Sequence, residues 1–273
     1  MVATPIGNLG DITLRALETL KAVDVIAAED TRHSAQLLGH FGIRAKLVAL
    51  HEHNEQSAGQ KIVELLHAGQ SVALISDAGT PAISDPGALL VNLVHQAGVK
   101  VVPIPGANAA IAALSAAGLL MPRFLFVGFL PAKSSHRKQV LETLRSVPVT
   151  LVFYEAPHRV LESVADLAET LGGARNITFA RELTKTFETF HACRLDEALA
   201  WLQADPNQQR GEFVLLVEGA PAVEEQTVSD AARHTLQTLL AELPLKQAVK
   251  LATEITGAKK NALYQLALEL KPE

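Results

Sequence analysis

The stretch ALISDAGTPAISDPG, residues 73 to 87, determines how the rest of the chain is interpreted. The apolar run at residues 72 to 75 predicts a short strand that is buried on both faces. A loop of small residues and carboxylates follows, and Asp85-Pro86-Gly87 predicts the start of the next helix. Because ligands of open α/β sheets bind beyond the carboxyl ends of strands, residues 77 to 80 are predicted to border a site. An ordinary strand-to-helix turn has similar residues and remains an alternative.

Short apolar runs alternate with helical patterns on both sides of this loop. Strands are predicted at residues 23–28, 47–50 and 99–103, and helices at residues 32–40, 60–67 and 88–96. This alternation favours a mostly parallel sheet and an N-terminal α/β domain over residues 1–120. Residues 1–3 resemble the tail of a strand that enters a turn directly, so we expect further residues upstream in the native chain.

The pattern changes near residue 121. Strands are predicted at residues 124–129, 150–154, 177–180, 186–192 and 213–217. The short link between the third and fourth of these indicates antiparallel pairing, and hence a second α/β domain with a mixed sheet over residues 121–219. After a linker at residues 220–225, three amphipathic patterns predict a small helical module at residues 226–273, whose last two helices form a helix-turn-helix shape.

Composition excludes several classes of protein. With 48% apolar and 19% charged residues, the chain can bury a sizeable core and is neither disordered nor collagen-like. A net charge of −5 argues against nucleic-acid binding through bulk positive charge, although a local basic patch is allowed. A single cysteine excludes an internal disulfide. No apolar run is long enough to span a bilayer and no leader is evident, so we expect a cytoplasmic protein without a membrane partner.

Four loops rich in small residues stand at predicted strand ends. They are TPIGNL at residues 4–9, SDAGTP at 76–81, PGANA at 105–109 and FYEAPHR at 153–159. Small residues let the backbone approach a flat polar ligand, which predicts a site for a nucleoside-type cofactor. The chain has neither the GxGxxG of a dinucleotide fold nor a P-loop sequence. Four unrelated turns are the alternative.

Charged clusters give weaker signals. The histidines and carboxylates at residues 29–33 and 51–55 do not match a zinc-ligand spacing, so no metal site is predicted. Without GxSxG, a Ser-His-Asp site is not supported either. Two groups of basic residues, one after Pro131 and one in the helical module, could hold phosphates or could simply face water.

The ordered motifs together are similar to one family. TPIGNL, AEDTRHS, HEHNE, SDAGTPAISDPG, GFLPAKS, FYEAPHR, ARELTKTFE and KKNALY, spread from residue 4 to about residue 268, resemble the ribosomal RNA small subunit methyltransferase I family of the tetrapyrrole-methylase fold. The resemblance implies an S-adenosylmethionine-dependent enzyme that methylates the ribose 2′-hydroxyl of a cytidine in the decoding region of 16S rRNA. The expected partner is 16S rRNA in the assembled small ribosomal subunit, and a homodimer is expected.

The resemblance also implies site residues. The family's cofactor lies folded between the two α/β domains, and its contacts carry over by motif to Pro5, Ile6, Gly7, Leu9, Asp77, Ala78, Gly79, Thr80, Asn108, Ala109, Tyr154 and Glu155. The first loop, PIGNLGD, departs from the GxGxGD-like loop of many relatives. For RNA phosphates the candidates are Lys133, Arg137, Lys138, Lys259 and Lys260.

The ribose 2′-hydroxyl is protonated at neutral pH. Methyl transfer to it is faster when a base accepts the proton or when a cation stabilises the alkoxide that forms. Glu29, Asp30, Glu155 and Glu182 are candidate bases, Arg181 and Lys185 are candidate cations, and Lys185 with Glu182 is the preferred pair. Two alternatives are a methylase of a tetrapyrrole or a protein side chain on the same fold, and an RNA-binding assembly factor without catalysis. The low aromatic content, 4%, argues against a large apolar pocket for a tetrapyrrole. The intact cofactor loops argue against an assembly factor without catalysis.

Overall fold

The computed structural model describes residues 1–221 and 228–270. The chain divides into two compact units, Met1–Gly219 and Ala220–Glu273, which are described separately below. None of the helices in these described ranges is long and apolar enough to cross a membrane.

The first unit contains eight α-helices and eight strands within its described residues. Its helices are α1 Leu14–Ala22, α2 Thr31–His40, α3 Glu55–His67, α4 Ala88–Gln96, α5 Ala109–Ala116, α6 Ser134–Leu144, α7 Val160–Leu171 and α8 Leu195–Ala204. Its strands are β1 Val25–Ala28, β2 Lys46–Ala49, β3 Val72–Ile75, β4 Phe124–Phe129, β5 Thr150–Glu155, β6 Asn176–Arg181, β7 Thr189–Arg194 and β8 Phe213–Val217.

The first sheet is parallel, with the strand order β2-β1-β3. Its central strand is buried along its whole length because helices cover both faces. Ile26 packs with residues of α1 and α2, whereas its neighbour Ala27 packs with residues of α3 and α4. This alternation is the two-residue period of a strand, and it confirms the predicted parallel sheet with helices on each side.

The prediction of a strand at residues 99–103 is wrong. The segment approaches the sheet but forms only an isolated parallel bridge, between Val2 and Ile104. The Val2 amide donates to the Leu74 carbonyl oxygen at 2.9 Å, and the Ile104 amide donates to that of Met1 at 2.8 Å. Pro103 has no amide hydrogen, so it interrupts the ladder where the predicted strand would continue.

The second sheet has five strands in the order β4-β5-β8-β6-β7. Strands β4 and β5 are parallel, and the other pairs are antiparallel, including the predicted pairing of β6 with β7. The predicted mixed sheet is therefore confirmed. Helices α6, α7 and α8 pack on one face, and α8 was not predicted from the sequence.

Helix α5 packs on the opposite face of the second sheet. Its buried residues Ala110 and Ala113 contact Val152, Ala180 and Val214 of the sheet. The helix follows the first sheet in the chain but lies on the second, so it places the loop before it at the junction of the two sheets. The division of this unit at residue 120 stays a prediction, because both sheets belong to one compact unit.

A buried ion pair joins α6 to α7. Arg137 is fully buried, and its Nε donates to Asp166 Oδ2 at 2.6 Å. Its guanidinium also donates to the carbonyl oxygen of Ala132 at 3.2 Å. The prediction that Arg137 contacts RNA is therefore wrong, because this side chain cannot reach a phosphate in solvent. Lys138, beside it, donates to Glu169 at 2.7 Å and lies 3.5 Å from Asp166, so nearby carboxylates compensate its charge.

The second unit contains three helices in the part of it that the structure describes, α9 Asp230–Glu242, α10 Leu245–Thr256 and α11 Lys260–Leu270. Their apolar faces meet in a small core around Leu236, Val249 and Leu263. Gly257 has φ of +71° and ends α10 in the left-handed conformation that glycine adopts easily. The three predicted helical patterns are confirmed, while residues 226–227 and 271–273 of the predicted module lie outside the described residues.

Replacing Asp166 with alanine should destabilise the first unit strongly. The substitution leaves the Arg137 charge buried without its carboxylate, which costs about 3–5 kcal/mol of unfolding free energy. Glu169→Ala is the matched control, because it removes an exposed partner of Lys138 and should cost less than about 1 kcal/mol. Chemical denaturation measures both. Equal stability losses in the two variants would contradict the assignment of Arg137 to the core.

Candidate functional site

A cleft of about 550 Å³ opens in the first unit where the strand-end loops of both sheets meet. The loop after β3, the start of α5 and the end of β5 form three of its walls. The fourth comes from the region between β6 and β8. Among the predicted site residues, the following line this cleft: Ile6, Glu29, Asp77, Ala78, Gly79, Thr80, Asn108, Ala109, Tyr154 and Glu155.

Three of the predicted cofactor residues do not line the cleft. Pro5 is buried, and Leu9 begins an exposed 3-10 helix. A Cβ on Gly7 would lie 2.5 Å from Lys185 Cγ and 2.9 Å from the carbonyl oxygen of Leu183. Gly7 thus allows the first loop to pack closely against the turn between β6 and β7.

Backbone pairing fixes the loop after β3. The Thr4 amide donates to the Gly79 carbonyl oxygen at 2.8 Å, and the Gly79 amide donates back at 3.1 Å. Gly79 has φ of +80°, and the Thr80 hydroxyl donates to the Ala107 carbonyl oxygen at 3.0 Å. These contacts join three of the four predicted loops. The strained residues Ala82 and Ser84, with φ of +68° and +66°, follow directly.

The start of α5 is held against the end of β5. Asn108 caps the helix by accepting a hydrogen bond from the Ile111 amide at 3.1 Å. The Ala110 amide donates to the Tyr154 hydroxyl oxygen at 3.1 Å. The Tyr154 ring packs edge-on against Phe126 and Phe129, and burial raises its pKa, so the phenol stays neutral. Tyr154 therefore acts as a fixed, uncharged wall of the cleft.

Carboxylates gather on the side of the cleft formed by the first sheet. Burial raises the pKa of Glu29, and the negative charges of Asp77 and Asp85 raise it further. Burial likewise raises the pKa of Asp85, with the charge of Asp77 contributing. Because like charges lie near one another at partly buried positions, this side of the cleft favours a proton or a cationic ligand.

The carboxylate of Asp30 caps a helix and is not among the groups that line the cleft. Its carboxylate accepts hydrogen bonds from the Arg32 and His33 amides at 2.8 and 3.4 Å and so caps α2, and the first of these bonds lowers its pKa. Its own amide donates to Asp77 Oδ1 at 3.1 Å. The carboxylate of Asp30 thus stabilises a helix end and does not line the cleft.

The carboxylate of Glu155 is occupied within the protein. It is almost fully buried, accepts hydrogen bonds from the Ser163 hydroxyl at 2.5 Å and the Ala156 amide at 2.8 Å, and lies 3.3 Å from Arg159 Nε. Arg181 is also committed, since its guanidinium donates to the carbonyl oxygens of Phe187 and Arg210, both at 3.2 Å. Neither group is free to act as the base or cation that the sequence suggested.

Lys185 and Glu182 form the predicted pair at the rim of the cleft. Lys185 Nζ donates to Glu182 Oε1 at 2.8 Å and to Glu212 Oε2 at 2.9 Å. Burial opposes the charge on each side chain, but the bond from Lys185 lowers the pKa of Glu182, and the two carboxylates raise the pKa of Lys185. Both groups are therefore ionised, and of the three only Glu212 lines the cleft.

Sequence reasoning missed several cleft residues. The sequence predicts Asp85 only as the start of a helix, although its place in the central loop is a signal for the site. Glu212 precedes β8, and no motif marks it. Ala156, Pro157 and His158 also line the cleft and belong to the predicted loop at residues 153–159. The other missed lining residues are Ile83, Ser84, Phe129, Ala180, Leu183, Phe213 and Val214.

The remaining predicted RNA contacts are exposed. Lys133 precedes α6 in the first unit, and Lys259 and Lys260 lie at the start of α11 in the second. Across residues 1–221 and 228–270 no group of three or more His, Cys, Asp or Glu residues could hold a metal ion. The expectation that the protein needs no metal stays a prediction.

Comparison with known proteins gives matches along nearly the whole chain. Residues 1–199 match the family model described as Tetrapyrrole (Corrin/Porphyrin) Methylases, and residues 226–271 match that described as RsmI C-terminal HTH domain. The proteins named Ribosomal RNA small subunit methyltransferase I from Escherichia coli O157:H7 and Pseudomonas aeruginosa are 57% and 56% identical to it. These matches cover 98% of this chain and 94% and 96% of those proteins, respectively.

A solved structure shows a similar fold. The methyltransferase CobJ superposes with a TM-score of 0.58 at 19% identity, covering 78% of this chain and 90% of that one. At this identity the likeness concerns the fold alone, and it agrees with the two-sheet architecture described above.

Replacing Asp85 with asparagine should stabilise the protein near neutral pH. Because folding raises the pKa of Asp85, the folded state binds more protons above the ordinary carboxyl pKa, and stability falls as pH rises through that window. Asparagine removes this loss. Thermal melts from pH 4 to pH 7 should show a melting temperature above that of the parent protein, by a margin that grows with pH.

Asp24→Asn is the control of opposite sign. The Ser71 amide and hydroxyl donate to Asp24 at 2.7 and 2.8 Å, and these bonds lower its pKa, so Asp24→Asn should lose stability towards neutral pH. A melting temperature of Asp85→Asn that stays equal to that of the parent at every pH would contradict the strain assigned to the cleft.

Proposed function

This chain belongs to the ribosomal RNA small subunit methyltransferase I family, and we propose that it methylates the ribose 2′-hydroxyl of a cytidine in the decoding region of 16S rRNA, using S-adenosylmethionine. The observation that carries the proposal is a full-length identity above one half combined with a cleft that the family's motifs line. The protein-side-chain and tetrapyrrole alternatives lack such full-length support. Solved methyltransferase structures on this fold are less than one fifth identical to the chain, so they support the fold alone.

The chemistry of the cleft fits S-adenosylmethionine. At neutral pH this molecule carries a sulfonium and an ammonium against one carboxylate, so it is a net cation. The crowded carboxylates Glu29, Asp77 and Asp85 lie on one side of the cleft, and a cation beside them would relieve their repulsion. Apolar side chains such as Ile6 and Phe213 line other parts and suit the flat adenine. The same carboxylates disfavour a phosphate-bearing cofactor.

When bound, S-adenosylmethionine supplies an activated methyl group on its sulfonium sulfur for in-line transfer to an oxygen. The protein's part is to orient the ribose hydroxyl and to accept its proton. Glu29 suits the second role better than Glu182, since Glu29 lines the cleft and its raised pKa makes it the stronger base. The Glu182 carboxylate is held by Lys185 and by the Glu212 amide.

Lys133, Lys259 and Lys260 are proposed as phosphate contacts that add affinity without sequence information. We propose the assembled small ribosomal subunit as the substrate and the cytoplasm as the place of action. The homodimer implied by the resemblance stays a prediction.

Methyl transfer tests the proposed function directly. The purified protein, incubated with methyl-labelled S-adenosylmethionine and assembled 30S subunits that lack the modification, should transfer label to a 16S cytidine, with less transfer to protein-free rRNA. Nuclease digestion and mass spectrometry locate the label. Asp77→Asn should raise the Kd of S-adenosylmethionine about 10- to 100-fold in calorimetry, because it removes a charge from the cleft wall but keeps an acceptor for the Asp30 amide.

Asp30→Asn is the matched control, since asparagine also caps helices and the side chain lies outside the cleft. Its affinity for S-adenosylmethionine should stay within about twofold of the parent value. The proposed function would be contradicted if the label were found on a base or on a ribosomal protein. It would also be contradicted if no methyl group were transferred although S-adenosylmethionine binds tightly.

A further inference from the structure

The turn between β6 and β7 carries the most exposed aromatic ring in the described part of the chain. Phe187 is 73% exposed, whereas Phe129, the next most exposed, reaches 54% and lies at the cleft. Large aromatic side chains gain most from burial, so a ring exposed near the cleft is available for a partner to cover.

The turn that presents Phe187 is built rigidly. Arg181 donates to the Phe187 carbonyl oxygen at 3.2 Å and to the Thr189 hydroxyl at 3.1 Å, which anchors the turn at its base. The Thr184 amide donates to the Glu188 carboxylate at 2.6 Å. Glu182 and Thr184 have φ of +51° and +63°, an unfavourable conformation for residues with a Cβ.

The same turn forms the rim of the cleft. Leu183 lines the cleft directly, and Lys185 binds Glu212, which also lines it. Phe187 follows Lys185 by two residues. An RNA strand that delivers a ribose to the cleft would therefore pass this part of the rim.

Charge at this rim does not favour phosphate contacts. The cleft wall carries Glu29, Asp77 and Asp85, and the single positive charge of Lys185 is shared between two carboxylates. RNA that approaches here meets net negative charge, so contact through an uncharged surface is favoured. Stacking of an unpaired base on an aromatic ring provides such a contact and is the usual way in which proteins hold single-stranded RNA.

We propose that Phe187 is a positioning residue on which an unpaired base of the RNA substrate stacks, next to the nucleotide whose ribose enters the cleft. This inference rests on the proposed function. The base carries no charge, which allows its close approach to the acidic rim, and the fixed turn presents the ring without a loss of loop entropy on binding. The ring orders the substrate and takes no part in proton or methyl transfer.

Steady-state methyl transfer to 30S subunits tests this role. Phe187→Ala should raise the KM for subunits about 5- to 100-fold with a smaller change in kcat, since one stacking contact is lost. Phe187→Tyr should keep the parent KM because it keeps the ring. Phe187→Leu should behave as Phe187→Ala, since it is apolar but has no π face. In all three variants the Kd of S-adenosylmethionine and the melting temperature should stay at the parent values.

Phe124→Ala is the matched control, because it removes an exposed ring from β4, at the opposite edge of the same sheet. It should leave the KM unchanged. A parent protein that transfers no methyl group would overturn the proposed function together with this inference. A normal KM for Phe187→Ala on an active parent, a normal KM for Phe187→Leu, or a shift of the oligomeric state in analytical ultracentrifugation would overturn the stacking role alone.

Discussion

The paired backbone hydrogen bonds between Thr4 and Gly79 are the contact on which the cleft depends. They hold the first loop against the loop after β3, and Thr80 then ties that loop to Ala107. The tie fixes the start of α5, and α5 packs on the second sheet. One short chain of contacts thus connects the strand ends of both sheets, which explains why loops far apart in sequence line one cleft.

The arrangement has an electrostatic consequence. Loops at the ends of β1 and β3 bring Glu29, Asp77 and Asp85 together, and the protein holds them there although burial and, to a lesser extent, mutual repulsion raise the pKa of Glu29 and Asp85. Such strain is typical of functional sites, where a ligand relieves it. A cationic cofactor is the ligand that the proposed function requires. The same carboxylates therefore lower the stability of the free protein and strengthen the binding of the cofactor.

The sequence predicted the parts of this architecture that depend on local pattern. The buried run at residues 72–75, the loop after it and the three helices of the second unit follow from apolar periodicity and from glycine and proline positions. The prediction that Arg137 contacts RNA is wrong because the basic residues around it in the sequence suggest an exposed cluster, whereas Arg137 is buried. Its spacing of four and seven residues from Leu141 and Leu144 sets all three on one helix face, and both leucines are buried.

Other features depend on tertiary structure and had no local signal. Glu212 reaches the cleft because β8 inserts between β5 and β6, and no sequence spacing indicates that strand order. Asp30 and Glu155 carry the same chemical group as Glu29, but a helix cap and a serine hydroxyl occupy their oxygens. Which carboxylate is available for chemistry is therefore decided by neighbours that only the fold brings together.

Calorimetric titration with S-adenosylmethionine in buffers of different ionisation enthalpy tests the central claim, that the carboxylates of this cleft bind a cation. Because Glu29 and Asp85 have raised pKa values, they are partly protonated just above the ordinary carboxyl range, and a bound cation should lower those values. We predict net proton release on binding at a pH just above the ordinary carboxyl range and an affinity that rises with pH through that range, with the release reduced in Asp85→Asn. Binding without proton release, at an affinity independent of pH over that range, would contradict the account.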